Sequence, residues 1–229
     1  MMSQISIIIP SYNEIDNIEK LLNKIIQFKS DVKIFIIDDS TDNGISNIAK
    51  RFEQVSYTYR GKKLGRGSAV IEGMKQILHK ECGDIIIEMD ADFSHDPAEL
   101  ILNFEKFNRE NLDLLVASRY KQDSQIINWS LRRRIFSKLS NILARFLLKV
   151  PLTDYTNGYR MYSKNAVRHV VNHCGKIGDG FIVLSEILIH LYYNNFKIGE
   201  TSTIFRNRVR GVSSVTLSEV IKSLFGLFK

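Results

Sequence analysis

Two carboxylates, Asp90 and Asp92, stand two residues apart in the stretch DIIIEMDADFSH, directly after the apolar run Ile85-Ile86-Ile87. Strand residues i and i+2 face the same side, so this spacing would aim both side chains one way. Ala91 between them is small enough to let a ligand approach. Two carboxylates aimed at one point repel unless a cation lies between them. Hard oxygen donors open to solvent suit Mg²⁺ or Mn²⁺, and either ion can in turn hold a diphosphate. The same letters also suit a solvated acidic turn, so the pair has to be weighed with its surroundings.

Three further stretches carry polar groups of this kind. PSYNE (10–14) supplies Pro10, Tyr12 and Glu14, with Asn13 as an alternative helix cap. IIDDSTD (36–42) supplies Asp38 and Asp39, with Ser40 or Asp42 as alternative caps. GKKLGRGSA (61–69) places Gly65 and Gly67 ahead of a helix, which suits close approach by a ligand. It is neither a GxGxxG nor a phosphate-binding GK[ST] loop.

The elements that must position these groups alternate. Buried strands are expected at 5–10, 32–38, 55–59, 84–89 and 112–118, from continuous or β-branched apolar runs. Helices are expected after the first strand (Ile15, Ile18, Leu21, Leu22, Ile25, Ile26 at helical spacing) and at 43–52, 67–78 and 97–107. Strands joined by helical crossovers imply an α/β fold, a mainly parallel sheet flanked by helices. Ligands bind such sheets beyond the carboxyl ends of the strands, where all four polar stretches fall.

Composition narrows the function. The chain has 229 residues, 44% hydrophobic and 25% charged, enough for one domain with a substantial core. The formal net charge of +7 favours an anionic partner. Cys82 and Cys174 form neither a disulfide framework nor a metal spacing, as in a reducing compartment. The first apolar run ends at Pro10 without a basic leader, and no run approaches the ~20 residues of a membrane span. A nucleic-acid module is disfavoured, because no binding motif is present and the paired carboxylates would repel phosphates.

Taken in order, SIIIPSYNE, IFIIDDSTD, KKLGRGSAVIEG, IIEMDADFSHDP, LLVASRY and DYTNGYRMYSKNAV resemble glycosyltransferase family 2, and within it the dolichol- and polyprenol-phosphate mannose synthases. The resemblance runs from about Ser6 to Ser213 and implies a GT-A (Rossmann-like) fold. It implies inverting transfer of a sugar, mannose from GDP-mannose, onto dolichyl or polyprenyl phosphate. Pro10, Tyr12, Glu14, Asp39 and Gly65 would hold the nucleoside, and Asp90, Ala91 and Arg208 would lie along the donor diphosphate. Asp90, Asp92 and Ser94 would hold Mg²⁺ or Mn²⁺. Arg119, Arg133 and Ser137 would receive the lipid phosphate, with Asp92, Arg119 and Arg133 as the catalytic group. The sequence departs from the family at Ser94-His95, where Gln or a Gly-Ser-His variant is common, and at Ser214, where Lys is usual. A UDP-glucose or other donor, or a hydroxyl acceptor, is the alternative.

The arginine-rich stretch after the fifth strand fits a phosphate acceptor, with a hydroxyl acceptor as the alternative. A hydroxyl acceptor needs a general base, for which Asp154, Asp179 or Glu186 are available. A phosphate monoester, with a second pKa near ~6, arrives ionised and needs arginines instead. The resemblance implies a nucleotide-sugar half at 1–120 and an acceptor half at 121–210. Leu131, Ile135, Leu139, Ile142 and Phe146 line one helical face beside Arg132, Arg133, Arg134, Lys138, Arg145 and Lys149. This basic amphipathic pattern suits the cytoplasmic surface of a membrane or, alternatively, a helix packed on the sheet. Within 211–229, Leu217, Val220, Ile221, Leu224, Phe225 and Phe228 repeat the pattern in a C-terminal amphipathic helix. His169 and His173, four apart, lack a third ligand nearby in sequence.

Overall fold

In a computed structural model of the chain, the described residues are 4–180 and 182–207. Arg208 and the amphipathic pattern at 217–228 lie outside them. The strands are β1 (Ile5–Ser11), β2 (Lys33–Asp38), β3 (Val55–Tyr59), β4 (Ile85–Glu88), β5 (Leu114–Ser118), β6 (Gln125–Ile127), β7 (Arg160–Ser163), β8 (Ile198–Ser202) and β9 (Ile204–Arg206). The helices are α1 (Ile15–Phe28), α2 (Ile45–Ala49), α3 (Arg66–His79), α4 (Leu100–Arg109), α5 (Leu131–Leu148), α6 (Lys164–His173) and α7 (Ile182–Tyr193). The five strands expected from apolar runs are all present.

The main sheet has the order β3-β2-β1-β4-β7-β5-β8. Its pairs are parallel except those of β7, which runs antiparallel between β4 and β5. A separate parallel pair joins β6 to β9. Continuous apolar runs fill β1, β2 and β4 because both sheet faces are covered. Ile8, Phe35 and Ile86 face one apolar cluster, with α3, α6 and α7. Ile7, Ile9 and Ile87 face the other, with α1 and part of α4.

Two local outcomes differ from expectation. β4 stops at Glu88, so Asp90 and Asp92 lie in the following turn and strand alternation does not aim them. Asn13 adopts a left-handed φ of 59° instead of capping α1, and its amide donates to Ser40 Oγ (2.8 Å). Glu14 is the N-cap residue of α1.

Candidate active site

The β4 turn is held by groups far away in sequence. Asp90 Oδ1 accepts from Arg66 Nε at 2.8 Å, and the Arg66 guanidinium also bonds Glu88, whose side chain is fully buried. Tyr162 Oη donates to the other Glu88 oxygen (2.8 Å). Burial works against the charge on Arg66, but Asp90 and Glu88 outweigh it and raise the pKa. The Asp90 amide donates to His95 Nδ1 (3.1 Å), so the His95 proton sits on Nε2, which donates to Asn157 Oδ1 (2.9 Å). The His95 ring is buried and stacks on Tyr159, with centroids 5.0 Å apart. Asp92 is buried, and its Oδ1 accepts from the Ser94 amide (3.0 Å).

The donor set fits a hard divalent cation. Two carboxylates share one turn, and the buried Ser94 Oγ has no hydrogen-bond partner. No group of three His, Cys, Asp or Glu side chains among the described residues is placed to hold a metal. Asp90 and Asp92 would therefore need oxygen ligands beyond protein carboxylates, such as Ser94 and a bound diphosphate.

At the end of β2, Asp39 is engaged by its own protein. Its carboxylate accepts from Arg60 Nε (2.5 Å) and Nη2 (2.8 Å), and from the amides of Leu64 (2.8 Å) and Gly65 (3.0 Å). It thereby shapes the turn before α3. Gly65 takes φ 98°, and a Cβ there would stand 2.4 Å from the Asp179 carbonyl oxygen. The Asp179 backbone thus comes close enough to demand glycine at this position. Ala91 is buried in the apolar cluster with Ile9 and Met89. Pro10 lies within β1, while Tyr12 is partly exposed with Lys63 Nζ 5.1 Å from its ring centroid. Glu14 accepts from Asn17 Nδ2 (2.7 Å).

The residues expected on the acceptor side gather where β5 ends and α5 begins. Arg119 is buried and forks onto Asp154, with Nε to Oδ2 and Nη2 to Oδ1 both at 2.7 Å. Burial alone would raise the Asp154 pKa, but Arg119 outweighs it and holds the carboxyl below its ordinary value. Burial works against the charge on Arg119, but Asp154, with smaller contributions from Tyr120 and Asp90, raises its pKa. Arg133 is exposed, stacks on Trp129 (4.0 Å) and donates to Asn207 (3.1 Å). Ser137 Oγ accepts from Tyr120 Oη (2.5 Å). Of the available bases, Asp154 is thus committed to Arg119, and Glu186 accepts from the Gly175 and Lys176 amides. Asp179 remains exposed beside the Gly65 turn.

Helix α5 turns its apolar stripe outward. Only Asn141 and Ala144 of this helix are buried, whereas Leu131 is 71% exposed and Phe146 77%. No helix among the described residues is long and apolar enough to cross a membrane. Elsewhere α7 brings His190 to His169 and His173, with ring centroids 6.1 and 6.2 Å away, although the three do not converge on one metal position.

Sequence reading missed Glu88, Arg66, Arg60, His95 and Asn157. Glu88 lies two residues before Asp90 and extends the alternation of acids, the one signal that was available.

A mainly parallel sheet with carboxylates at its edge and helices on both faces defines the GT-A architecture of nucleotide-sugar enzymes. The chain matches glycosyl transferase family 2 over residues 6–171, and it belongs to that family: it is a glycosyltransferase. It is 29% identical over 96% of its length to a polyprenol monophosphomannose synthase of Mycolicibacterium smegmatis, covering 83% of that protein. It is 30% identical over 99% of its length to a dolichol-phosphate mannosyltransferase of Pyrococcus furiosus, spanning 64% of that protein. Its fold superimposes on glucosyl-3-phosphoglycerate synthase of Mycobacterium tuberculosis, solved with Mn²⁺, UDP and glucosyl-3-phosphoglycerate, with a TM-score of 0.69. That match is 17% identical and covers 99% of this chain and 78% of the other.

Proposed function

We propose that the protein transfers mannose from GDP-mannose to the phosphate of a polyprenyl or dolichyl lipid at a membrane surface. One juxtaposition carries this reading: the acidic turn at Asp90 and Asp92 adjoins the Arg119–Arg133 cluster, and the outward apolar stripe of α5 starts from that cluster. The names of the two curated relatives support mannose as the sugar and a polyprenyl or dolichyl phosphate as the acceptor. Pro10, Tyr12, Glu14, Asp39, Gly65 and Ala91 belong to the donor half, Asp39 acting through the turn it holds. Asp90 and Asp92 would hold Mg²⁺ or Mn²⁺, which would supply charge neutralisation for the departing diphosphate.

The remaining work falls to the chain's own groups. Arg133, exposed and braced on Trp129, presents its guanidinium to the acceptor phosphate, and Ser137 offers a hydroxyl one helical turn away. Arg119 lies behind them as a fixed cation. The acceptor oxygen is already ionised, so attack on the sugar carbon needs no carboxylate base. The stripe Leu131, Ile135, Leu139, Ile142 and Phe146 would enter the lipid interface, with Arg132, Arg134, Lys138 and Arg145 toward anionic headgroups.

The test is transfer of radiolabelled mannose from GDP-mannose to polyprenyl phosphate in vesicles, with Mg²⁺ or Mn²⁺. Lipid-linked mannose is expected, with little transfer from UDP-glucose and none to unphosphorylated polyprenol. Preferred use of UDP-glucose, or of the free alcohol, would replace the reading with the corresponding alternative.

A further inference from the structure

Arg66 has no role in the reading so far, yet the site is built around it. It is the first residue of α3, directly after the left-handed Gly65 that Asp39 holds in place. Its guanidinium bonds Glu88 by Nη1, Asp90 by Nε and Nη2 (2.8 and 2.7 Å), and the Gly158 carbonyl by Nη2 (3.3 Å). Its side chain is only 12% exposed. Gly158 forms the slot that receives it: a Cβ there would stand 1.9 Å from Arg66 Nη2, although the Gly158 backbone is ordinary for an L-residue. A flat fork that reaches two carboxylates and a carbonyl together is a geometry that lysine cannot reproduce.

We infer that Arg66 is a positioning residue for glycosyl transfer, a built-in counter-ion that orients Asp90 and neutralises one carboxylate charge beside the leaving diphosphate. This rests on the proposed role of Asp90 and Asp92. Glu88 and Asp90 share the single guanidinium of Arg66, and Asp92 lies in the same turn. A guanidinium on Asp90 therefore lowers the site's attraction for a cation while keeping the carboxylate aimed. Removing it should move two observables in opposite directions. Disordering the site would instead weaken both.

The experiment compares the parent with Arg66→Gln, Arg66→Lys, Gly158→Ala, Arg66→Gln/Gly158→Ala and Asp92→Asn. Binding of Mn²⁺ alone is followed by electron paramagnetic resonance, and transfer by steady-state kinetics. Arg66→Gln should bind Mn²⁺ about tenfold tighter, through loss of a nearby positive charge, while kcat falls at least about thirtyfold. Arg66→Lys, which keeps the charge, should bind Mn²⁺ within about twofold of the parent and recover part of kcat. Gly158→Ala should lower kcat by evicting the guanidinium, and the double variant should be no slower than Arg66→Gln. Mn²⁺ binding that weakens in Arg66→Gln, parental kcat in that variant, or additive losses in the double variant would each overturn the assignment. Parental Mn²⁺ binding in Asp92→Asn would instead sink the metal reading, and Arg66 would then be judged on kcat and the double variant. Should Arg66→Gln fail to fold, Arg66→Lys and Gly158→Ala decide by the same kinetic criterion.

Discussion

At the ends of β1, β2 and β4 the charged groups hold fixed internal partners, whereas along α5 basic and apolar side chains stand open to solvent. Asp39 alone accepts four hydrogen bonds, and Asp90 and Glu88 share one guanidinium. On α5, by contrast, Leu139, Ile142 and Phe146 face outward, and Arg133 reaches over Trp129 at the surface. The first region is preorganised for a small anionic ligand, since its dipoles and charges are fixed before binding. The second region would bury its apolar groups only against something external. That contrast fits one soluble substrate and one that stays in a bilayer.

Arg119 and Asp154 mark the boundary between the two regions, and breaking this pair should have the largest effect. Asp154→Ala would strand a buried guanidinium, at a cost of about 3–5 kcal/mol in unfolding free energy, measurable by urea denaturation. The pH dependence follows from the same pair. The Asp154 pKa is lowered on folding from the ordinary 3.8, so its stabilisation is complete above that value and is lost as pH falls through the folded pKa. Below about pH 4 the stability of Asp154→Ala should fall less steeply than that of the parent. Parallel acid curves would remove the pair as a source of acid sensitivity.

A smaller and more selective effect is expected at Arg133. Arg133→Ala should raise the KM for the lipid phosphate about tenfold, the worth of one exposed charge-assisted contact, with the donor KM within about twofold. Equal rises for both substrates would place Arg133 on the donor side and blur the boundary.

Legibility in the sequence followed the same division. Continuous apolar runs such as Ile7-Ile8-Ile9 and Ile85-Ile86-Ile87 announced β1 and β4, because burial on both sheet faces leaves that signature. The acids Asp90 and Asp92 fell just past the end of β4, in the turn rather than on the strand. Strand β7 was not legible: Arg160-Met161-Tyr162-Ser163 is not an apolar run, and Arg160 is buried by bonds to the carbonyls of Tyr155, Asn157 and Leu184. Nor was the partnership of Arg66 with Glu88, Asp90 and Gly158, which spans 22 to 92 residues of chain. Local periodicity reports what a side chain is buried in, whereas ion pairs between distant turns depend on the completed topology. The direction of the α5 stripe was ambiguous for a related reason, since amphipathicity fixes that a helix has two faces but not which one meets the protein.

The most direct test of the contrast separates the lipid surface from the chemistry. Leu139→Glu/Phe146→Glu alters two exposed side chains of α5 and touches none of the groups at the strand ends. Transfer to a long-chain polyprenyl phosphate in anionic vesicles should fall at least about fivefold, since each charge replaces apolar burial of roughly 1.5–3 kcal/mol. Transfer to a short-chain, water-soluble polyprenyl phosphate should stay within about twofold of the parent. Loss of activity toward both acceptors, or toward neither, would contradict the assignment of α5 to the lipid surface.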